Sequence, residues 1–114
     1  MKAILINSIE RTVTELTLDG RANMLQQWYK AMNVELVQVG HYINEHDSVL
    51  VDEEGLLKQP EHFFEYDGAH QPFAGNGLVV GVDEEGETVG CDISLEEVTA
   101  KVTFKHLSQI IHEL

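Results

Sequence analysis

Positive charge is scarce in this chain. Seven lysines and arginines stand against twenty aspartates and glutamates, a formal net charge of −13. Binding to a nucleic-acid backbone needs clustered cations, so direct nucleic-acid binding is not expected, and anionic membrane surfaces are disfavoured for the same reason. Between residues 31 and 100 the shortage is near total: Lys58 is the single base among sixteen carboxylates. Cysteine is as rare. Cys91 stands alone, which excludes an intramolecular disulfide and a cysteine-rich zinc framework. Its neighbour Asp92 carries a charge that raises a thiol pKa, so Cys91 reads as inert. Prolines number two, and no stretch is linker-like or of low complexity. The opening run Ile4-Leu5-Ile6 is far too short for a signal peptide or a membrane span. A cytoplasmic protein without membrane contact is the expectation.

What is present is ordinary in amount. Hydrophobic residues make up 43% of 114 residues and charged ones 24%. That suffices for one domain over residues 1–114 that buries a core without metal or disulfide. A basic protein partner, a cation and plain solubility are the uses that such an acidic surface leaves open.

The most distinctive feature is a repeat. Asp52-Glu53-Glu54-Gly55 and Asp83-Glu84-Glu85-Gly86 each follow an apolar run, Val49-Leu50-Val51 in the first case and Leu78 to Val82 in the second. The pattern predicts a strand entering a tight hairpin turn, with Gly55 and Gly86 at positive φ and the acids in water. Asp83, Glu85 and Glu87 alternate, but neither copy supplies the oxygen ligands of a calcium loop.

Elsewhere, Lys2 to Ile6 reads as a buried strand, and the alternation from Thr12 to Leu18 predicts its hairpin partner. Asp19 is positioned to cap a helix from Arg21 to Met32 with Met24, Leu25, Trp28 and Met32 on one apolar face. Val34 to Val39 predicts a bulged strand ended by Gly40, and His41 to His46 is less regular. Ser48 to Val51 is a strand, and Leu56-Leu57-Lys58 is expected to return from it before Pro60 stops the ladder. Glu61 to Gly77 reads as ordered loop with one helical turn near His62 to Tyr66. Leu78 to Val82 pairs with Glu87 to Gly90. Ser94-Leu95-Glu96-Glu97 is a capping box; the segment 98–106 is compatible with continued helix or a short strand. Leu107, Ile110, Ile111 and Leu114 return to helical spacing. The sum is α+β: one domain, a mostly antiparallel sheet built from hairpins, with two or three helices.

Long loops are frequent homes of function, which makes His62, Phe63, Phe64, Glu65, Tyr66, His70 and Asn76 the candidate ligand or partner loop. Phe63 and Phe64 cannot both point inward on a regular element, so one is expected to line a pocket or meet a partner. The six histidines (His41, His46, His62, His70, His106, His112) show no metal-hydrolase spacing. His62 and Glu65 would share a helical face with His70 as a third ligand, but no motif supports a metal, and neither a metal nor a cofactor is expected. Gly75-Asn76-Gly77 precedes a strand rather than opening a helix, so it is a turn and not a phosphate loop.

The order of these parts resembles the domain of unknown function 3846 family, small proteins of phages, prophages and plasmids. The resemblance rests on the Met1-Lys2-Ala3 opening strand and hairpin, the helix, the acidic turn within Val49 to Lys58, the Gly75 to Gly81 strand and the Ser94-Leu95-Glu96-Glu97 helix start. It covers Met1 to about Phe104. Where family members often carry an asparagine after the proline, Glu61 and His62 follow Pro60 here. The resemblance implies the fold and a mobile-element setting, and brings no catalytic residue. With no nucleophile–base pair legible, a non-enzymatic accessory protein that binds a protein partner is the leading expectation. An acidic DNA mimic that inhibits a host DNA-binding or restriction protein is the first alternative. The second is a binder of a small ligand such as a nucleotide signal, which would require Lys2, Arg11, Arg21, Lys30, Lys101 and Lys105 to converge.

Overall fold

A computed structural model of the chain describes residues 1–111; His112 and Leu114 lie outside them. The elements run β1 (Lys2–Asn7), β2 (Thr12–Thr17), α1 (Met24–Met32), β3 (Val37–Tyr42), β4 (Asp47–Asp52), a 3-10 turn (Gly55–Lys58), β5 (His62–Tyr66), β6 (Phe73–Ala74), β7 (Gly77–Val82), β8 (Thr88–Val89), α2 (Leu95–Lys101), β9 (Val102–His106) and α3 (Leu107–Ile111). The fold is α+β, as the pattern predicts. All pairings are antiparallel, in a central sheet ordered β2-β1-β7-β4-β3 with β8 beside the end of β7, and a small sheet ordered β6-β5-β9.

Strand alternation sends the two faces of the central sheet to different cores. Ala3, Leu50, Leu78 and Val80 pack with Met32 and the half-buried Trp28 of α1. Ile4, Ile6, Val49, Val51 and Val79 face the other way, onto Phe64 and Tyr66 of β5, Phe73 of β6 and Val98 of α2. The layers are therefore α1, the central sheet, and the small sheet with α2. A third, smaller cluster joins Phe63 and Ala74 to Leu107 and Ile110 of α3 on the outer face of the small sheet. The close approach of the two sheets needs a missing side chain at Gly77, where a Cβ would come within 2.5 Å of the Phe64 ring.

The hairpin β1–β2, the β7–β8 pair and the Ser94 cap of α2 match the sequence reading; the Ser94 hydroxyl accepts the Glu97 amide at 3.1 Å. Segment 98–106 resolves into the end of α2 and strand β9. Several expectations are corrected. Helix α1 starts at Met24, because Asn23 and not Asp19 caps it; Asp19 instead accepts the Arg21 amide in the turn before it. Leu25 lies off the buried face, 47% exposed. The strand expected over Val34 to Val39 is β3, three residues later, and Gly40 sits in its bulge between Val39 and His41 instead of ending it. A Cβ at Gly40 would meet Val51 at 2.7 Å and Phe73 at 2.9 Å, which explains a glycine inside a strand.

Leu56-Leu57-Lys58 is a 3-10 turn and not a return strand, since β4 already has β3 and β7 on its two sides. The left-handed residue after it is Gln59, at φ 53°, not Gly55. His62 to Tyr66 is a strand, not a helical turn, and Glu61 to Gly77 contains two strands of the small sheet.

Candidate functional site

The two acidic tetrapeptides begin alike. Asp52 Oδ1 accepts the Glu54 amide at 2.9 Å, and Asp83 Oδ1 accepts the Glu85 amide at 2.9 Å. Short acidic side chains fold back on the backbone in this way and initiate turns. The second copy then closes as a hairpin: Asp83 also takes the Glu87 amide at 2.9 Å, and Gly86 adopts φ 83°. Both bonds go to Oδ1 and tie the Asp83 carboxylate to the turn backbone. Because β4 and β7 are antiparallel neighbours and each runs into its own acidic turn, the copies lie at opposite ends of the sheet. A single cation site cannot draw on both.

The first copy leaves in a different direction. Gly55 is buried against β6, where a Cβ would meet Ala74 Cβ and O at 3.1 Å. Leu57 N–H donates to Glu54 O at 3.0 Å, and Lys58 Nζ donates to Asp52 Oδ2 at 2.7 Å. This tight turn, pinned on its glycine side, throws the next two side chains outward. Leu56 is 73% exposed and Leu57 82%. Leu56 borders a groove of about 300 Å³ walled by Phe63, Pro72, Leu107 and Ile110. A second depression of about 340 Å³ shares Leu56, Gln71 and Pro72 with it and extends to Gln38, Asp52 and Glu53. The two adjoin across that shared wall: the first is apolar, and the second, the rest of one trough, carries the carboxylates of Asp52 and Glu53 beside apolar Leu57, Phe73 and Ala74.

The residues expected to form one loop site are distributed instead over a strand with two covered faces. Phe63 and Phe64 are both buried, 4% and 0% exposed, because α3 covers one face of β5 and the central sheet the other. Phe63 does line a pocket, the apolar end of the groove. Phe64 stacks on Phe73 at a centroid distance of 5.3 Å. His62 and Glu65, an odd number of strand positions apart, point to opposite faces. His62 sits edge-on to His106 at 5.7 Å, and Glu65 pairs with Lys105 at 3.3 Å. Tyr66 lies in the main core 5.5 Å from His41. Burial, with the charges of Asp47, Glu97 and Asp67, pushes its hydroxyl up to about 12. His70 is exposed in a bend. Asn76 is a structural tie: its Oδ1 accepts the Ser8 amide at 3.0 Å and its Nδ2 donates to Met32 O at 3.2 Å, while the Ser8 hydroxyl donates to Gly75 O. Among the described residues no three His, Cys, Asp or Glu side chains stand close enough to hold a metal ion.

One polar centre escaped the sequence reading. Asp47 is fully buried, and its carboxylate accepts the amides of Asp92 and Ile93 at 2.9 Å each, His46 Nδ1 at 2.8 Å and Asn44 Nδ2 at 3.4 Å. Burial pushes its pKa up, but these donors outweigh it and hold the group below its ordinary value. The bond to Asp47 raises the His46 pKa against partial burial, helped by the charges of Asp92, Asp47 and Asp83. Cys91 is buried nearby; burial first, then the charge of Asp47, lifts its thiol, while Lys2 acts in the opposite direction. With both Asp47 oxygens spent on backbone amides, the centre clamps β4 to the segment entering α2. It is built for stability.

The fold and the trough together define an α+β protein with an exposed, two-ended groove beside an acidic turn. No family model, no curated protein and no solved structure matches the chain. No helix among the described residues is long and apolar enough to cross a membrane.

Proposed function

We propose that this chain is a small acidic accessory protein of a phage or other mobile element, working in the cytoplasm, that acts by binding a protein partner and not by catalysis. The observation that carries the reading is the adjacent pair Leu56 and Leu57, 73% and 82% exposed, with Leu56 at the lip of the apolar groove and Leu57 on the depression beside it. Scattered exposed leucines need no explanation, but adjacent ones beside a concavity mark an interaction surface. Partly covering the pair would contribute about 1.4 kcal/mol in total, at about 25 cal/mol for each Å² of apolar surface removed from water. The mobile-element setting is drawn from the motif resemblance.

The other two readings draw less support. A DNA mimic needs carboxylates in rows at phosphate spacing, whereas the two acidic turns occupy opposite ends of the sheet. An anionic-ligand site needs the bases to converge. Lys2 and Arg11 lie near opposite ends of the first hairpin, and Lys101 and Lys105 pair with Asp67 and Glu65.

Affinity capture from bacterial lysate at low salt tests the proposal, with wild type, a Leu56→Ser/Leu57→Ser variant and a charge-matched unrelated protein as baits. The expected result is a discrete protein retained by wild type and lost by the variant. Equal recovery on both baits, or nothing above the charge-matched control, contradicts it.

A further inference from the structure

Resting on that docking reading, we infer that the trough receives a basic amphipathic polypeptide segment. A bulky apolar side chain of the segment enters the Phe63 end, and a lysine or arginine lies over the Asp52–Glu53 end. The argument is one of matched chemistry along a single concavity. The apolar end is walled by Phe63, Pro72, Leu107 and Ile110, with no charged side chain among the described residues lining it. The acidic end carries Asp52 and Glu53. Lys58 already neutralises Asp52 at 2.7 Å, while Glu53 is exposed and has no ion-pair partner among the described residues. Leu56, Gln71 and Pro72 belong to both ends, so one continuous segment can span them.

Charge selects among occupants. A second copy of this chain would bring another −13 charge against this one, and that repulsion opposes self-association through an acidic face. An acidic or neutral segment gains nothing at Glu53. A basic one gains attraction there and steering from the whole field, while the apolar end gives it a purchase that charge alone does not. Recognition by an apolar anchor beside a charge is how grooves read amphipathic segments.

Fluorescence anisotropy on the full chain with three synthetic peptides of equal length tests this. One presents leucines on one face and lysines on the other, one replaces its lysines by glutamates, and one replaces its leucines by serines. The leucine–lysine peptide is expected to bind. Leu56→Ser/Leu57→Ser should weaken it roughly tenfold, the loss of about 1.4 kcal/mol of apolar contact. Glu53→Gln should flatten its salt dependence with little change at high salt. The serine–lysine peptide is expected to bind weakly and equally to wild type and the leucine variant. Equal binding of the two lysine peptides, insensitive to the leucine variant, would show a diffuse charge effect and overturn the inference. A leucine–glutamate peptide that binds as well as the leucine–lysine one, with both lost in the leucine variant, overturns the basic-segment inference and leaves the docking reading standing. Binding by none of the three also overturns it, and the lysate capture then decides the docking reading separately.

Discussion

The Asp47 carboxylate accepts the Ile93 amide at 2.9 Å across 46 residues of sequence, and the same group holds the Asp92 amide. An asparagine there keeps the shape but presents an NH2 to one of two amide donors. Asp47→Asn is therefore expected to cost about 3 kcal/mol, the scale of a buried charged hydrogen bond lost with a donor left unsatisfied. Urea denaturation with an unchanged slope measures it. A loss under about 1 kcal/mol would contradict the clamp.

The His46–Asp47 contact predicts a pH dependence of stability. His46 has a folded pKa raised above 6.5, so its contribution is fully present below 6.5 and fades as pH rises through the higher folded value. Asp47 has a folded pKa lowered below 3.8; its contribution is present above 3.8 and fades as pH falls through the lower folded value. Both act together between 3.8 and 6.5. The urea midpoint should decline on the alkaline side of that window, and His46→Gln should remove this decline. A wild-type midpoint that stays flat there speaks against the pair.

Gly77 and Phe64 are coupled through space. A Cβ on Gly77 would lie 2.5 Å from the Phe64 ring, so Gly77→Ala should cost about 1–3 kcal/mol by overpacking. Combining it with Phe64→Leu should cost less than the sum of the two single changes, since the smaller side chain makes room. Strict additivity in the double-mutant cycle would disprove the contact.

Leu56 and Leu57 should matter little to folding. Both are more than 70% exposed, and their replacement by serine is expected to shift stability by no more than about 0.5 kcal/mol. Thermal or urea unfolding of the double variant checks this. A larger loss would mean that these side chains support the fold and do not serve only a partner.

The parts legible in sequence were those whose cause is local. Alternation in Thr12 to Leu18 gave β2, and Ser94 with Glu97 gave the start of α2. Phe63-Phe64 misled because a strand covered on both faces by remote elements loses its alternation, so β5 read as a helical turn within an ordered loop. The first acidic turn looked like the second, yet its exit is decided by Gly55 meeting Ala74, a contact that no local pattern carries. The groove followed the same rule. Phe63 was in the candidate set, but Leu56 and Leu57 were taken for the return strand of a hairpin, and the walls from Pro72, Leu107 and Ile110 come from separate segments. Asp47 was invisible for the same reason, with its donors in a segment 45 and 46 residues away.

Site-specific photocrosslinking in living bacteria tests the docking claim most directly. A photoreactive amino acid at position 57, in the trough, is compared with one at Thr14, exposed on edge strand β2. A single discrete adduct to a protein with a basic amphipathic segment, formed from position 57 and absent from position 14, is the predicted result. No adduct from position 57, or the same adducts from both positions, would contradict it.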